Sequence, residues 1–443
     1  MKPFGSEADW EDLALEDLGD LGWEPMGGKA IAPGSGERVS WDSLVIPHRL
    51  QDALLRLNPE VPKHYLDQAM AEILAIRSGD ALTENHRMHG ILIGGYSGLS
   101  YVDDEGVQRS PTVHVISANP DRNDWLAANQ VRLADRDHDR RFDVVLYCNG
   151  LPVGIIEVKK GGAHHADVSA AHAQLETYVH EFPAEFRFAL LTIATDGVIS
   201  AYGTPFTPLN HFAPWNVDDD GRPVEPGERQ PDGSTPTSLS LLLYGVCNVE
   251  RFLQLQRHFT AFHVYKDNGT LTKRIAKPHQ YFAVTKAVGS TIDAVRGDGR
   301  AGVVWHTQGS GKSMEMELYT YALSQRPKLA NPTVVVITDR TDLDGQLFSS
   351  FARSELLRST PVQISTRKQL REVLSETRSG GIYFTTLQKF GRTLGERDAG
   401  EAHPLLTDRS NVVVIVDEAH RSHYDDLDGY ARHLRDALPR ATL

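Results

Sequence analysis

The sequence predicts an α/β protein of two domains, and three observations carry that reading. The second half alternates short apolar runs (301–305, 332–338, 382–386 and 412–416) with helical patterns, the rhythm of a parallel sheet covered by helices. The first half changes period from about residue 92, and its runs Phe142–Tyr147 and Val153–Lys159 meet at Asn149-Gly150, a strong hairpin signal. With 443 residues, the chain also exceeds what one core serves, at about 150 residues per domain.

The elements follow in order. Residues 9–22 have helical spacing, with Trp10, Leu13, Leu18 and Leu21 near one face and Gly22 as a stop. Helical spacing returns over 41–56 and 63–78, before strands at Thr112–Ser117, Phe142–Tyr147 and Val153–Lys159. A helix over 168–181 precedes the strand Ala189–Thr195. Residues 203–237, rich in Pro, Gly and Asp, read as a long loop insertion. A helix over 239–262 and a basic connector, Lys266–Lys277, lead into the second half, so the domains divide as 1–262 and 263–443.

Composition narrows the class. Lys and Arg number 46 against 59 Asp and Glu, a net charge of −13, but 12 acidic and 5 basic residues fall in the first 60, so a local basic channel remains open elsewhere. Two cysteines, Cys148 and Cys247, exclude a disulfide framework and fit a reducing cytosol. No apolar run approaches the roughly 18 to 20 residues that span a bilayer, and the acidic N-terminus is not a secretory signal.

The sharpest chemical signal is Thr307-Gln-Gly309-Ser310-Gly311-Lys312-Ser313, set between an apolar run and a helical pattern. A glycine-rich turn there exposes backbone N–H groups at a helix N-terminus, a cradle for phosphates. Lys312 would reach the β- and γ-phosphates and Ser313 would ligate Mg²⁺. His306 stands where the general motif has glycine. The second signal is Val412-Val-Val-Ile-Val-Asp417-Glu418-Ala-His420, an apolar strand ending in acid. Asp417 would hold Mg²⁺ through water and Glu418 would orient or deprotonate the attacking water. Together these residues define an ATP-binding lobe.

The lobe resembles a superfamily 2 helicase or translocase of the DEAH-box kind, built on a RecA-like parallel sheet. The likeness extends to Thr338-Asp-Arg-Thr-Asp-Leu-Asp344 and Thr385-Thr-Leu-Gln388, which match positions where such motors grip the nucleic-acid backbone. Gln280, in Lys277-Pro-His-Gln-Tyr281, resembles the glutamine that reads adenine in that superfamily. The chain ends at Ala441-Thr442-Leu443, where such motors begin their next motif, so the expectation is a portion of a longer polypeptide. The lobe that carries the arginine finger has no sequence here, and slow or absent ATP hydrolysis by this portion alone is expected.

In the first half, Asp143, Glu157 and Lys159 form the informative set. Glu157 and Lys159 lie two apart on a strand and share a face, and Asp143 sits on the neighbouring strand. Two carboxylates and a lysine suit a site in which one or two Mg²⁺ ions polarise a phosphodiester. A surface hairpin with a Glu157–Lys159 salt bridge would carry the same pattern. Register decides between them. A strict two-residue turn pairs Cys148 with Leu151 and sets Asp143 opposite Ile156, on the wrong face, so the site requires one extra residue in the turn or a bulge near Pro152.

This half resembles the nuclease domain of the type I restriction enzyme R (motor) subunit, a PD-(D/E)xK endonuclease fold. The resemblance rests on Asp143…Glu157-x-Lys159, on the Asn-Gly-Leu-Pro turn, and on Gln174-Leu-Glu-Thr-Tyr178, similar to that family's Gln-x-x-x-Tyr motif. It implies that Gln174 and Tyr178 position the lysine or the DNA backbone, and that Glu11 extends the metal site. Phe142 stands where a proline is usual before the aspartate. His164-His165-x-Asp167 reads as a polar loop beside the site rather than a metal cluster.

The resemblance implies Mg²⁺-dependent cleavage of unmethylated double-stranded DNA coupled to ATP-driven translocation. It further implies a separate specificity subunit and a modification (methyltransferase) subunit that binds S-adenosylmethionine. The competing expectation is a superfamily 2 DNA-repair or phage-defence translocase whose nuclease fold is inactive and serves only to bind.

Overall fold

The computed structural model describes residues 6–159, 167–231, 233–265, 269–338, 341–417 and 429–443. The chain forms two compact units, Met1–Thr260 with Leu271–Pro278, and Ala261–Thr270 with His279–Leu443. Both are mixed α/β units with parallel strand pairs.

The first unit is organised by one six-stranded sheet. Its strands are β1 (Glu24–Gly27), β4 (Trp125–Ala134), β5 (Asp139–Cys148), β6 (Leu151–Val158), β7 (Leu191–Thr195) and β8 (Ser200–Gly203), in that spatial order. Between β1 and β4 in sequence lie the two-residue strands β2 (Tyr101–Val102) and β3 (Gln108–Arg109) and the helices α2 (Pro47–Leu57), α3 (Lys63–Leu74) and α4 (Ala81–Gly94), while α1 (Glu7–Asp20) precedes β1. β4, β5 and β6 are antiparallel neighbours, whereas β1 runs parallel to β4 and β7 parallel to β6. Every residue of β6 is buried, as a strand covered on both faces must be.

α1 begins in a capping box in which Ser6 and Asp9 satisfy each other's backbone N–H. Its buried face is Trp10, Glu11, Ala14 and Leu18, so a carboxylate joins the apolar stripe in place of the expected Leu13. The expected helix 41–56 starts at Pro47, whose fixed φ suits a first helical position. The expected strand Thr112–Ser117 is not one: only Val113 pairs, in a single bridge with Tyr96. α5 (Val168–Glu181) matches the expected span, and its Ala171, Leu175 and Tyr178 pack in one core with Phe142, Val145 and Tyr147 of β5. The expected helix 239–262 is two, α6 (Ser238–Val246) and α7 (Val249–His258), because Asn248 caps a new start by accepting from the Arg251 N–H.

The β5–β6 hairpin sets the geometry of everything that follows. Asn149 (φ 51°) and Gly150 (φ 75°) form a two-residue turn of left-handed residues, and Cys148 pairs with Leu151. Tyr147 faces Pro152, but Leu146 faces Gly154, so Val153 is the extra residue of a bulge. Beyond it Val144 faces Ile156.

In the second unit, β11 (Thr333–Thr338), β12 (Val362–Gln363), β13 (Ile382–Thr386) and β14 (Val412–Val416) form a parallel sheet in the order β12-β13-β11-β14. β9 (Thr260–Tyr265) and β10 (Thr270–Ile275) lie where the chain divides. The helices are α8 (Pro278–Arg296), α9 (Lys312–Ser324), α10 (Thr341–Arg353), α11 (Arg367–Glu376), α12 (Leu394–Asp398) and α13 (Tyr430–Ala437). The expected strand 301–305 does not form. Its start pairs with the chain's last residues, Ala301 N–H donating to the Leu443 carbonyl, but Val303 and Trp305 are 84% and 86% exposed.

Gly150 is locked from two sides. Its φ is left-handed, and a Cβ would lie 2.3 Å from the Ile46 carbonyl oxygen. Gly150→Ala is expected to destabilise the first unit by about 1–3 kcal/mol, read as a lower denaturation midpoint for that unit.

Candidate active site

The bulge at Val153 supplies the register that the site requires. The paired register ends at Val144 and Ile156, one position short of Asp143 and Glu157, which brings the two carboxylates near enough for the charge of Asp143 to act on Glu157. The Asp143 Oδ2 accepts the Val158 N–H at 2.8 Å, which fixes the aspartate across the hairpin. The Lys159 ammonium donates to Glu157 Oε1 at 2.5 Å.

Burial makes this arrangement costly. Glu157 is 2% exposed, and its Oε2 is buried with no hydrogen-bond partner. Desolvation, then the Asp143 charge, push the Glu157 carboxyl up to about 8, against the opposing pull of Lys159. Asp143 is also raised, by burial first, while the Val158 N–H and Lys159 pull the other way. Burial of the Lys159 ammonium is outweighed by Glu157 and Asp143, and its affinity for a proton is raised. The set therefore holds an excess of buried negative charge that a proton or a cation must offset.

Two helices complete the surroundings. α1 brings Glu11, which is 4% exposed and accepts from the Gln130 amide at 2.7 and 2.8 Å. Burial raises its carboxyl to about 6, with Asp143 adding to the rise. α5 brings Tyr178, whose hydroxyl donates to the Arg141 carbonyl at 3.3 Å and whose proton is held more tightly through burial and the neighbouring Glu157. Phe142, where a proline was the expected neighbour of Asp143, packs on the Tyr178 ring with centroids 4.3 Å apart. Gln174 lies one turn before Tyr178 and is half-buried. His164 and His165 lie outside the described residues, and Asp167 caps α5 by accepting the Ala170 N–H.

A divalent cation fits this donor set. Glu157 Oε2, Asp143 and Glu11 are hard oxygen donors, the type Mg²⁺ takes, although among the described residues only His279, His306 and Glu315 already hold their ligand atoms within 4.8 Å of one another.

In the second unit the glycine-rich loop precedes α9, with Gly309 and Gly311 at φ 83° and 91°. Those left-handed values are available to glycine without strain, and they turn the loop so that Lys312 opens the helix. His306 fills its non-glycine position usefully: its Nδ1 lies 2.7 Å from a Glu315 carboxylate oxygen, tying the start of the loop to α9. His279 Nε2 lies 2.9 Å from the Ser310 carbonyl oxygen. Gln280, 3% exposed, donates to the Ser310 and Gly311 carbonyls at 3.2 and 3.4 Å. Ser313 is exposed in the first turn of α9. Asp417 follows β14 at the C-terminal edge of the parallel sheet, its N–H donating to the Ile337 carbonyl at 2.8 Å. Glu418 lies outside the described residues, as do Asp339 and Arg340.

Motif reading did not find Gln130, Glu315 or His279. The sequence offered one cue for the first, since Asn129-Gln130 places two amides inside the apolar run of β4.

The family described as Type I restriction enzyme R protein N terminus matches residues 5–211, and the SWI2/SNF2 ATPase family matches residues 279–443. The chain belongs to the R-protein family of type I restriction enzymes. It is 36% identical over 454 residues to the type I restriction enzyme HindI endonuclease subunit of Haemophilus influenzae, covering 99% of this chain and 42% of that protein. It is 31% identical over 451 residues to a putative type I restriction enzyme MjaIXP endonuclease subunit of Methanocaldococcus jannaschii, covering 98% and 41%. The chain thus spans about two fifths of the length of these relatives. No helix among the described residues is long and apolar enough to cross a membrane.

With divalent cations chelated, the raised carboxyls bind protons more tightly in the folded state than in the unfolded one. Their contribution to stability is complete below about pH 4.5 and is lost as the pH rises through about 8. The first unit should therefore melt at falling temperature across that window in EDTA. Asp143→Asn, which removes the like charge, should flatten the decline in calorimetry.

Proposed function

We propose that this chain is the endonuclease and ATP-binding motor portion of a type I restriction R subunit. In this reading residues 1–262 are a PD-(D/E)xK endonuclease domain with a loop insertion near 203–237, and residues 263–443 are the first RecA-like translocase lobe. The observation that carries it is the buried, unpartnered Glu157 Oε2 set against Asp143 and beside Lys159.

Asp143, Glu157 and Glu11 would hold Mg²⁺, which when bound polarises a scissile phosphodiester and acidifies the attacking water. Lys159, clamped by Glu157, is placed to orient that water or to offset charge developing on the phosphate. Gln174 and Tyr178 position the lysine or the DNA backbone from one face of α5. In the motor lobe, Gly309, Ser310, Gly311 and Lys312 would hold the phosphates of ATP, Ser313 and Asp417 would hold the accompanying Mg²⁺, Glu418 would orient the water, and Gln280, which braces the loop through the Ser310 and Gly311 carbonyls, would read adenine.

The substrate is unmethylated double-stranded DNA. The partners are a specificity subunit and a modification subunit, the latter carrying S-adenosylmethionine.

The test uses the full-length subunit assembled with those partners. Asp143→Ala or Lys159→Ala should reduce DNA cleavage by at least a hundredfold while DNA-stimulated ATP hydrolysis persists, and Lys312→Ala should remove both. Undiminished cleavage by Asp143→Ala would refute the assignment.

A further inference from the structure

Among the described residues of the first unit, Gln130 and Asn149 alone combine a side chain with a left-handed backbone. Asn149 sits in the hairpin turn, where that conformation is ordinary. Gln130 sits inside β4, with φ 52°, where it is not. Such positions persist only when their surroundings hold them, and they concentrate at functional sites.

The surroundings do hold it. Gly28, following β1, lies so close that a Cβ there would come within 2.4 Å of the Gln130 carbonyl oxygen. The ladder between β4 and β5 is interrupted at this point: Asn129 faces Val144 and Val131 faces Phe142, while Gln130 and Asp143 form no pair between them. Leu126, Ala128, Val131 and Leu133 all enter one core, as do Tyr147, Val145 and Phe142 of β5. The two-residue alternation of each strand therefore slips by one position, at Gln130 on one strand and at Asp143–Val144 on the other. The slip frees both side chains from the sheet faces. Gln130 turns its amide to both oxygens of Glu11, and Asp143 turns to Val158.

We infer that Gln130 is a positioning residue of the cleavage site, whose kinked backbone and amide orient the buried Glu11 carboxylate so that it can join Asp143 and Glu157 when a divalent cation draws the three together. The inference rests on reading the first unit as a metal-dependent nuclease. An amide suits the task. It donates to the carboxylate without carrying charge, so Glu11 is oriented yet keeps lone pairs and its full attraction for a cation.

The test is Mn²⁺ binding to the whole chain, without nucleotide, followed by calorimetric titration. Gln130→Gly keeps the left-handed backbone accessible and removes only the amide. Gln130→Asn also tolerates that backbone but is one methylene short, and serves if the glycine variant folds poorly. Either variant should bind Mn²⁺ about tenfold more weakly than the parent, with the cation-free melting temperature unchanged or higher. Glu11→Ala should cost as much, and the double variant no more than Glu11→Ala alone, since the amide acts through that carboxylate. Parent-like affinity in Gln130→Gly, or additive losses in the double variant, would overturn the inference while leaving the nuclease reading intact. If the parent binds no Mn²⁺ that Asp143→Ala abolishes, the nuclease reading falls, and the inference with it.

Discussion

Two carboxylates forced together inside a sheet govern the first unit. Glu157 lies on a strand buried along its whole length, and Asp143 reaches that strand from the neighbouring one through the Val158 N–H. Neither gains from the position on its own account: desolvation disfavours both anions, the Asp143 charge adds to the cost at Glu157, and Lys159 offsets only part of it. The fold nevertheless spends several devices on keeping them there. These are a bulge in β6, a break in the β4–β5 ladder, a backbone amide at Val158 and a third acid on the buried face of α1. Structure that opposes its own stability so consistently is the mark of a site awaiting a charged ligand.

The second unit solves the converse problem. Its ligand would be an anion, and the donors are backbone N–H groups at a helix start rather than side chains. Rigidity is then needed in the loop itself. Three contacts provide it: His306 to Glu315, His279 to the Ser310 carbonyl, and Gln280 to the carbonyls of Ser310 and Gly311. The non-glycine at the head of the loop is thus a tether, and the motif tolerates it because the left-handed turns at Gly309 and Gly311 lie further along.

Much of this was legible in the residues. The hairpin, the need for a bulge beside Pro152, the helix at 168–181 and the parallel strands of the second half all follow from local pattern, turn chemistry and the arithmetic of alternation. What failed depended on distant neighbours. Thr112–Ser117 has strand composition but no ladder partner, so it remains an extended segment whose Val115 carbonyl accepts from the buried Asn149 amide. Residues 301–305 have the composition of a core strand, yet only their start finds a paired backbone. α4 was invisible because its inward face includes Glu84 and Asn85, and the asparagine is buried only to bind the carbonyls of Phe186 and Ala189, about a hundred positions away. Gln130 needed coordinates for a further reason: a left-handed glutamine inside a strand contradicts every local preference, and only Gly28 beside it makes room.

The bulged Val153 has an evolutionary corollary. Because one surplus residue between the turn and Glu157 decides which side of the sheet the glutamate occupies, the cluster of acids is encoded in spacing as much as in identity. Loss of a single codon from this hairpin would move Glu157 to the other side of the sheet, with all three acids and the lysine still visible to anyone scanning for them. Inventories of intact motifs would count such a gene as unchanged, so the interval between Asn149-Gly150 and Glu157 is the better marker of an assembled cluster.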